Sequence, residues 1–314
     1  MPATFPNNTV SKDQNTLVIK ITGQILKAIN ADYQQDTNDH PIILVNAVKN
    51  IIGDDREDPS ELLLNFVDKY LNTFSPRVND KKILEKVSKD GIGLTMFVED
   101  IEEALSIRDR KNVEELTAKL LLASDHSPAT LEMLAELALL AFDKLGPFTF
   151  HWLRSYQFHQ DKEVQWQYLY SMINELFKTD IVPQSSKNGN DKQLNVIQYV
   201  NSLDQSNWLK LSAAVRLYNE DYVRSEHYNR SIISWMQTQP KNDELKEAET
   251  HTLKNYIANG GNYFIRMAKE IVKTNDPNIA RKKIVDLEAL RGMAKVSSLE
   301  SFPIITQCIN TLIQ

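Results

Sequence analysis

Asp54, Asp55 and Asp58 stand in the stretch GDDREDPSELL with the spacing DDxxD. Three carboxylates so placed could hold magnesium ions that in turn neutralise a diphosphate. That chemistry needs the carboxylates to project from a helix wall into a cavity. Here Gly53 precedes the run and Pro59 follows it, a pattern that ends one helix and begins another. The expectation is therefore a link between helices, with Asp58 capping the next helix and Asp54 or Asp55 in solvent.

The DDxxD spacing resembles that of class I isoprenoid synthases, which implies a helical, metal-dependent enzyme with Asp54, Asp55 and Asp58 as ligands. This is held as an alternative. Such an enzyme needs a second ligand set at i, i+4 and i+8, and the nearest candidate, Asp221, Ser225 and Asn229, carries one formal charge. Aromatic residues, at 8%, are few for lining a carbocation cavity. A carboxylate-bridged di-iron bundle is excluded because no histidine has a glutamate three residues before it; Glu99, Glu102 and Glu103 form an acidic helix face instead. His159 with Glu163 and Glu247 with His251 share helix faces but lack a repeated partner motif. There is no nucleophile elbow, phosphate loop, dinucleotide fingerprint or H-E-x-x-H helix. An enzyme is not the expected class, and no cofactor is implied.

Two other stretches could carry binding. From Phe148 to Phe177 nine of thirty residues are aromatic, and Phe148, Trp152, Tyr156 and His159 share one helical face. Core packing is the plain explanation, but this region, with His151, Trp152, Tyr156, His159 and Trp166, is where a groove would fall. The second stretch, RLYNEDYVRSEHYNRSIISW, interleaves Arg216, Tyr222, Arg224, His227 and Tyr228, the side-chain types enriched at protein interfaces. These ten residues form the expected partner-binding set.

The chain that must position them has 314 residues, 42% apolar and 25% charged, the balance of a soluble globular protein. No apolar run is long enough to cross a bilayer, and the N-terminal residues lack the order of a secretory signal, so a cytoplasmic protein without membrane insertion is expected. Cys308 is the only cysteine, which excludes intrachain disulfides and cysteine-based zinc sites. A net charge of −6 argues against broad nucleic-acid binding. The one sizeable basic stretch, 262–295, has eight basic side chains against four acidic ones, and makes a nucleic-acid-associated helical protein the second alternative.

Nine glycines, mostly between segments of helical periodicity, and prolines following His40, Asp58, Ser127, Gly146 and Asp276 punctuate the chain as helix boundaries. The pattern predicts an all-α protein of about sixteen short antiparallel helices, solenoid-like or a double bundle: 12–34, 41–52, 59–73, 80–89, 94–108, 113–125, 128–145, 147–160, 162–178, 191–203, 206–219, 221–237, 242–258, 262–274, 277–295 and 301–313. Capping boxes are expected at Asp58-to-Glu61 and Asn112-to-Glu115. Several starts step by about 34 residues, the length of a tetratricopeptide unit. The consensus small and aromatic positions do not recur, and no family is assigned. The polar linker 182–192 predicts an N-terminal array, 1–182, and a C-terminal bundle, 193–314, or one continuous domain. The expected function is a non-enzymatic interaction or scaffold protein that binds a protein partner; its oligomeric state is left open.

Overall fold

The computed structural model describes residues 12–93, 98–181, 199, 205–241 and 248–313. The expected linker and nearly all of the 191–203 helix lie outside them, as do the starts of the 94–108 and 242–258 helices. Among the described residues there are fifteen α-helices, four 3-10 turns and no strand beyond an isolated bridge between Ala31 and Pro76. In chain order the helices are α1 (Lys12–Ile29), α2 (Pro41–Ile52), α3 (Glu61–Leu71), α4 (Lys81–Asp90), α5 (Val98–Ser106), α6 (Arg110–Ala123), α7 (Ala129–Leu139), α8 (Phe142–Phe158), α9 (Gln165–Phe177), α10 (Trp208–Tyr218), α11 (Ser225–Gln237), α12 (His251–Asn259), α13 (Tyr263–Thr274), α14 (Pro277–Val296) and α15 (Phe302–Ile313). The protein is all-α, and none of these helices is long and apolar enough to cross a membrane.

Local chemistry sets most starts. Pro41 opens α2 with the His40 ring accepting from the Ile42 amide at 3.2 Å, and Pro277 opens α14 with Asp276 accepting from the Asn278 amide at 2.8 Å. Three expectations are corrected. Ser60, not Asp58, caps α3, its hydroxyl accepting from the Leu63 amide at 3.4 Å. Asp109, not Asn112, caps α6, accepting from the Asn112 amide at 3.1 Å. Pro147 lies inside α8 rather than at its start. That helix is already closed one turn earlier, where the Ala141 carbonyl accepts from the Lys144 and Leu145 amides, and Gly146 leaves room for the Phe142 ring, which a Cβ there would meet at 2.8 Å. Tertiary contact also shortens α1: Arg77 donates to the Ile29 and Ala31 carbonyls at 2.6 and 3.2 Å, ending the helix at Ile29 rather than at 34.

Four helices form the centre. α2 packs on α8 and α14, and α10 packs on the same two, so the set closes into a ring. Both halves of the chain contribute to it, and one hydrophobic cluster runs through both. A linear stack, in which each unit touches only its neighbours, does not make the α2–α14 contact. Ten of the twelve residues of α2 are buried, which is why PIILVNAVKNII is apolar nearly all round.

Candidate functional site

The exceptions to that apolar rule define the site. On α2, Asn46, Lys49 and Asn50 recur at i, i+3 and i+4, so they share one face of an otherwise apolar helix. His151 and Arg154 on α8 stand at i and i+3, and Glu288, Arg291 and Lys295 on α14 at i, i+3 and i+7, so each set also shares a helix face. Where the central helices meet, several of these side chains pair with one another. The Asn46 amide nitrogen lies 2.8 Å from His151 Nδ1, Asn50 donates to Glu288 Oε1 at 2.8 Å, and Arg216 of α10 donates to both Glu288 oxygens at 2.9 Å. The Arg216 guanidinium also lies over the Phe150 ring, 4.2 Å from its centroid. Gly292 makes that approach possible, since a Cβ there would stand 2.6 Å from Arg216 Nη1.

The network continues into a cavity of about 580 Å³ between α1, α2, α8 and α14. Lys49, Arg56, Arg154, Arg291 and Lys295 line it, against Asp54 as the one carboxylate in its wall. Leu17, Val18, Ile21, Ile52 and Phe158 supply an apolar side. This size is that of a small-ligand pocket, and clustered guanidiniums are suited to carboxylate or phosphate groups. Arg291 clasps Asp54 through two nitrogens, with Nε at 2.7 Å from Oδ2, while Lys295 Nζ reaches Oδ1 at 2.9 Å and the Tyr256 hydroxyl donates to Oδ2 at 2.7 Å. Arg154 is held by Glu220 at 3.1 Å and by Gln157 at 2.9 Å. Among the described residues no carboxylate lies in ion-pair contact with Lys49 or Arg56.

Burial and neighbouring charge tune these groups. Burial opposes ionisation of Asp54, but the hydrogen bonds and charge of Arg291, with Lys295 and Tyr256, outweigh it and hold its carboxyl below the usual range. Glu288 is wholly buried, and there too the opposing desolvation is outweighed, chiefly by Arg216. His151 is driven down to about 3 by burial and stays neutral. Lys49 is brought down to about 7, by burial first and then by Arg154, Arg216 and Arg291, against a partial opposing pull from Glu288. Its ammonium lies 5.1 Å from the Phe158 ring centroid.

The acidic run behaves differently from expectation. Asp54 does not point into solvent; its side chain is 4% exposed and grips protein cations. Asp58 is exposed, and its amide donates to Asp55 Oδ1 at 3.3 Å in a turn. The three aspartates therefore do not converge, and among the described residues no cluster of three metal-binding side chains exists. Both Asp54 oxygens are instead taken by Arg291, Lys295 and Tyr256, remote in sequence.

The expected partner-binding residues divide by burial. His151, Trp152, Tyr156, Trp166, Tyr222 and Tyr228 are core side chains, each at most 6% exposed, so their assignment to a contact surface is corrected. Several of their polar atoms are used internally: Trp152 Nε1 donates to the Tyr168 carbonyl at 3.1 Å, Trp166 Nε1 to the Asp80 carbonyl at 2.6 Å and the Tyr228 hydroxyl to the Glu132 carbonyl at 2.9 Å. His159, Arg224 and His227 reach solvent, with His159 3.8 Å from Asp161 and the other two on Glu136. Arg216 belongs to the central network instead. In the basic stretch 262–295, Arg291 and Lys295 turn to Asp54 and Arg281 lies over the Tyr70 ring at 4.3 Å, which removes three cations from a continuous stripe.

Sequence reasoning passed over Lys49, Arg56, Arg154 and Asn46. The signal was present: an Asn, a Lys and a second Asn at helical spacing inside an apolar helix that must be buried. Comparison with protein-family models, curated proteins and solved structures finds no match to this chain.

Proposed function

We propose that this chain is a non-enzymatic, cytoplasmic helical binding protein that takes an anionic group into the cavity between α1, α2, α8 and α14. The observation that carries this reading is the convergence of five cationic side chains on one cavity with a single carboxylate in its wall. Arg56 has no carboxylate in ion-pair contact among the described residues, so the pocket holds positive charge that a ligand can neutralise. The apolar wall of Leu17, Val18, Ile21, Ile52 and Phe158 would cover the rest of a small ligand. Isothermal titration with citrate and with inorganic pyrophosphate tests it. One-to-one binding that weakens with salt and falls at least about tenfold in Arg56→Gln and Arg154→Gln is expected, since each charge-assisted contact contributes roughly 1.5–3 kcal/mol. No heat at millimolar anion, or binding indifferent to both substitutions, would sink the reading.

A protein partner has one specific support elsewhere. Val223, just before α11, is 88% exposed next to Arg224 and near the exposed His227. Co-purification of a partner by the wild type but not by Val223→Asp would support this second surface; equal recovery would remove it.

A further inference from the structure

We propose that Lys49 is a reactive amine that captures, as an imine, the carbonyl group of a small carboxylate-bearing compound held by the guanidiniums of the cavity. This rests on the anion-binding reading above and names the class of ligand that site would take.

The placement of the amine carries the inference. Lys49 lines the cavity from α2, the most buried helix of the central ring, and its Nζ lies 5.1 Å from the Phe158 ring centroid. The charged and titratable groups around it come from every element packed there: His151 and Arg154 on α8, Arg216 on α10, Glu288, Arg291 and Lys295 on α14, and Asp54 and Arg56 after α2, while α1 presents only Leu17, Val18 and Ile21. The carboxylates in this set are already engaged. Asp54 is taken by Arg291, Lys295 and Tyr256, and Glu288 by Arg216 and Asn50. Lys49 is therefore a buried amine among cations, the arrangement that disfavours ammonium and leaves a nucleophilic lone pair. The drop of its pKa to about 7 agrees with this, because roughly half the population would be neutral at physiological pH. The same cations that repel an ammonium attract a ligand carboxylate, so one set of charges would both activate the amine and bring its electrophile.

The step balances without an outside oxidant or reductant. The neutral Lys49 nitrogen attacks the carbonyl carbon and a C–N bond forms. The two amine hydrogens leave with the carbonyl oxygen as water, giving the imine.

The probe is glyoxylate with sodium cyanoborohydride, whose hydride traps the imine as a stable carboxymethyl amine that intact-mass and peptide mass spectrometry can locate. The expected result is one group per chain, on Lys49, formed at least about tenfold faster than on surface lysines and with a rate half-maximal near pH 7. Acetaldehyde, which lacks the carboxylate, should label Lys49 with a smaller preference over surface lysines than glyoxylate does, because the lowered pKa alone favours the amine for either aldehyde. Lys49→Arg, which keeps a cation but has no imine-forming amine, should lose the adduct. Labelling spread evenly over the lysines would overturn the proposal, as would equal preference for acetaldehyde. If citrate still binds in that case, only the imine inference fails; if no anion binds, the cavity reading fails with it.

Discussion

Replacing Asp54 by Asn should expose how much of the central architecture depends on one carboxylate. Asp54 and Arg291 are 4% and 8% exposed, so water contributes little to either charge once the pair forms. In Asp54→Asn the shape is nearly kept, but one acceptor becomes an N–H2 group facing the donors of Arg291 and Tyr256. Arg291 is left with Glu288, 3.7 Å from its Nη1, as its remaining anion. Removing one partner of a buried ion pair costs about 3–5 kcal/mol, most of it the uncompensated partner. Urea unfolding followed by far-ultraviolet circular dichroism gives the stability difference at pH 7. The double variant Asp54→Asn with Arg291→Met should recover part of the loss, with a coupling of about 1–3 kcal/mol. The sign of the pH effect follows from the direction of the shift. Because folding lowers the Asp54 pKa, its contribution is complete above the unfolded value of about 4 and is lost as pH falls through the folded value. The gap between wild type and Asp54→Asn should therefore shrink in acid. A gap below about 0.5 kcal/mol at pH 7, the usual size for a surface substitution, or one unchanged at pH 3, would refute the assignment of Asp54 as an internal anchor.

Gly292→Ala should destabilise the protein by about 1–3 kcal/mol in the same assay although alanine is the better helix former, because its Cβ would press on Arg216 and part it from Glu288; Gly23→Ala, with nothing within 4 Å, should be neutral or stabilising. Asp286 is pushed up to about 6 by burial, against a hydrogen bond from Gln205 at 3.0 Å and the charge of Lys282, so the folded state favours its protonated form and stability falls as pH rises from about 4 to 6. Asp286→Asn should then be more stable than wild type at pH 8, by about 2–3 kcal/mol, with the difference closing toward pH 4; equal unfolding curves at pH 8 would contradict this.

The helical class and most element positions were legible because they depend on neighbours in sequence. Apolar spacing placed 41–52, 262–274, 277–295 and 301–313 within a residue of the observed helices, and His40-Pro41 and Asp276-Pro277 act as the local capping rules require. At two of the misplaced boundaries, Ile29 and Pro147, a group from elsewhere in the chain or a ring over a glycine intervenes; the expected 128–145 and 221–237 helices also differ from the observed Ala129–Leu139 and Ser225–Gln237.

Side-chain roles were less legible. A tryptophan or tyrosine has the same pattern whether it fills a core or faces a partner, and only the full burial of Trp152 and Tyr228 in the folded chain separates the two. Asp54 shows the limit most plainly. The sequence by itself determined that a carboxylate would sit just past the end of α2. Its direction was decided by Arg291 and Lys295, more than two hundred residues away, because the cost of desolvating a charge is met only by partners that the tertiary structure brings within hydrogen-bond distance.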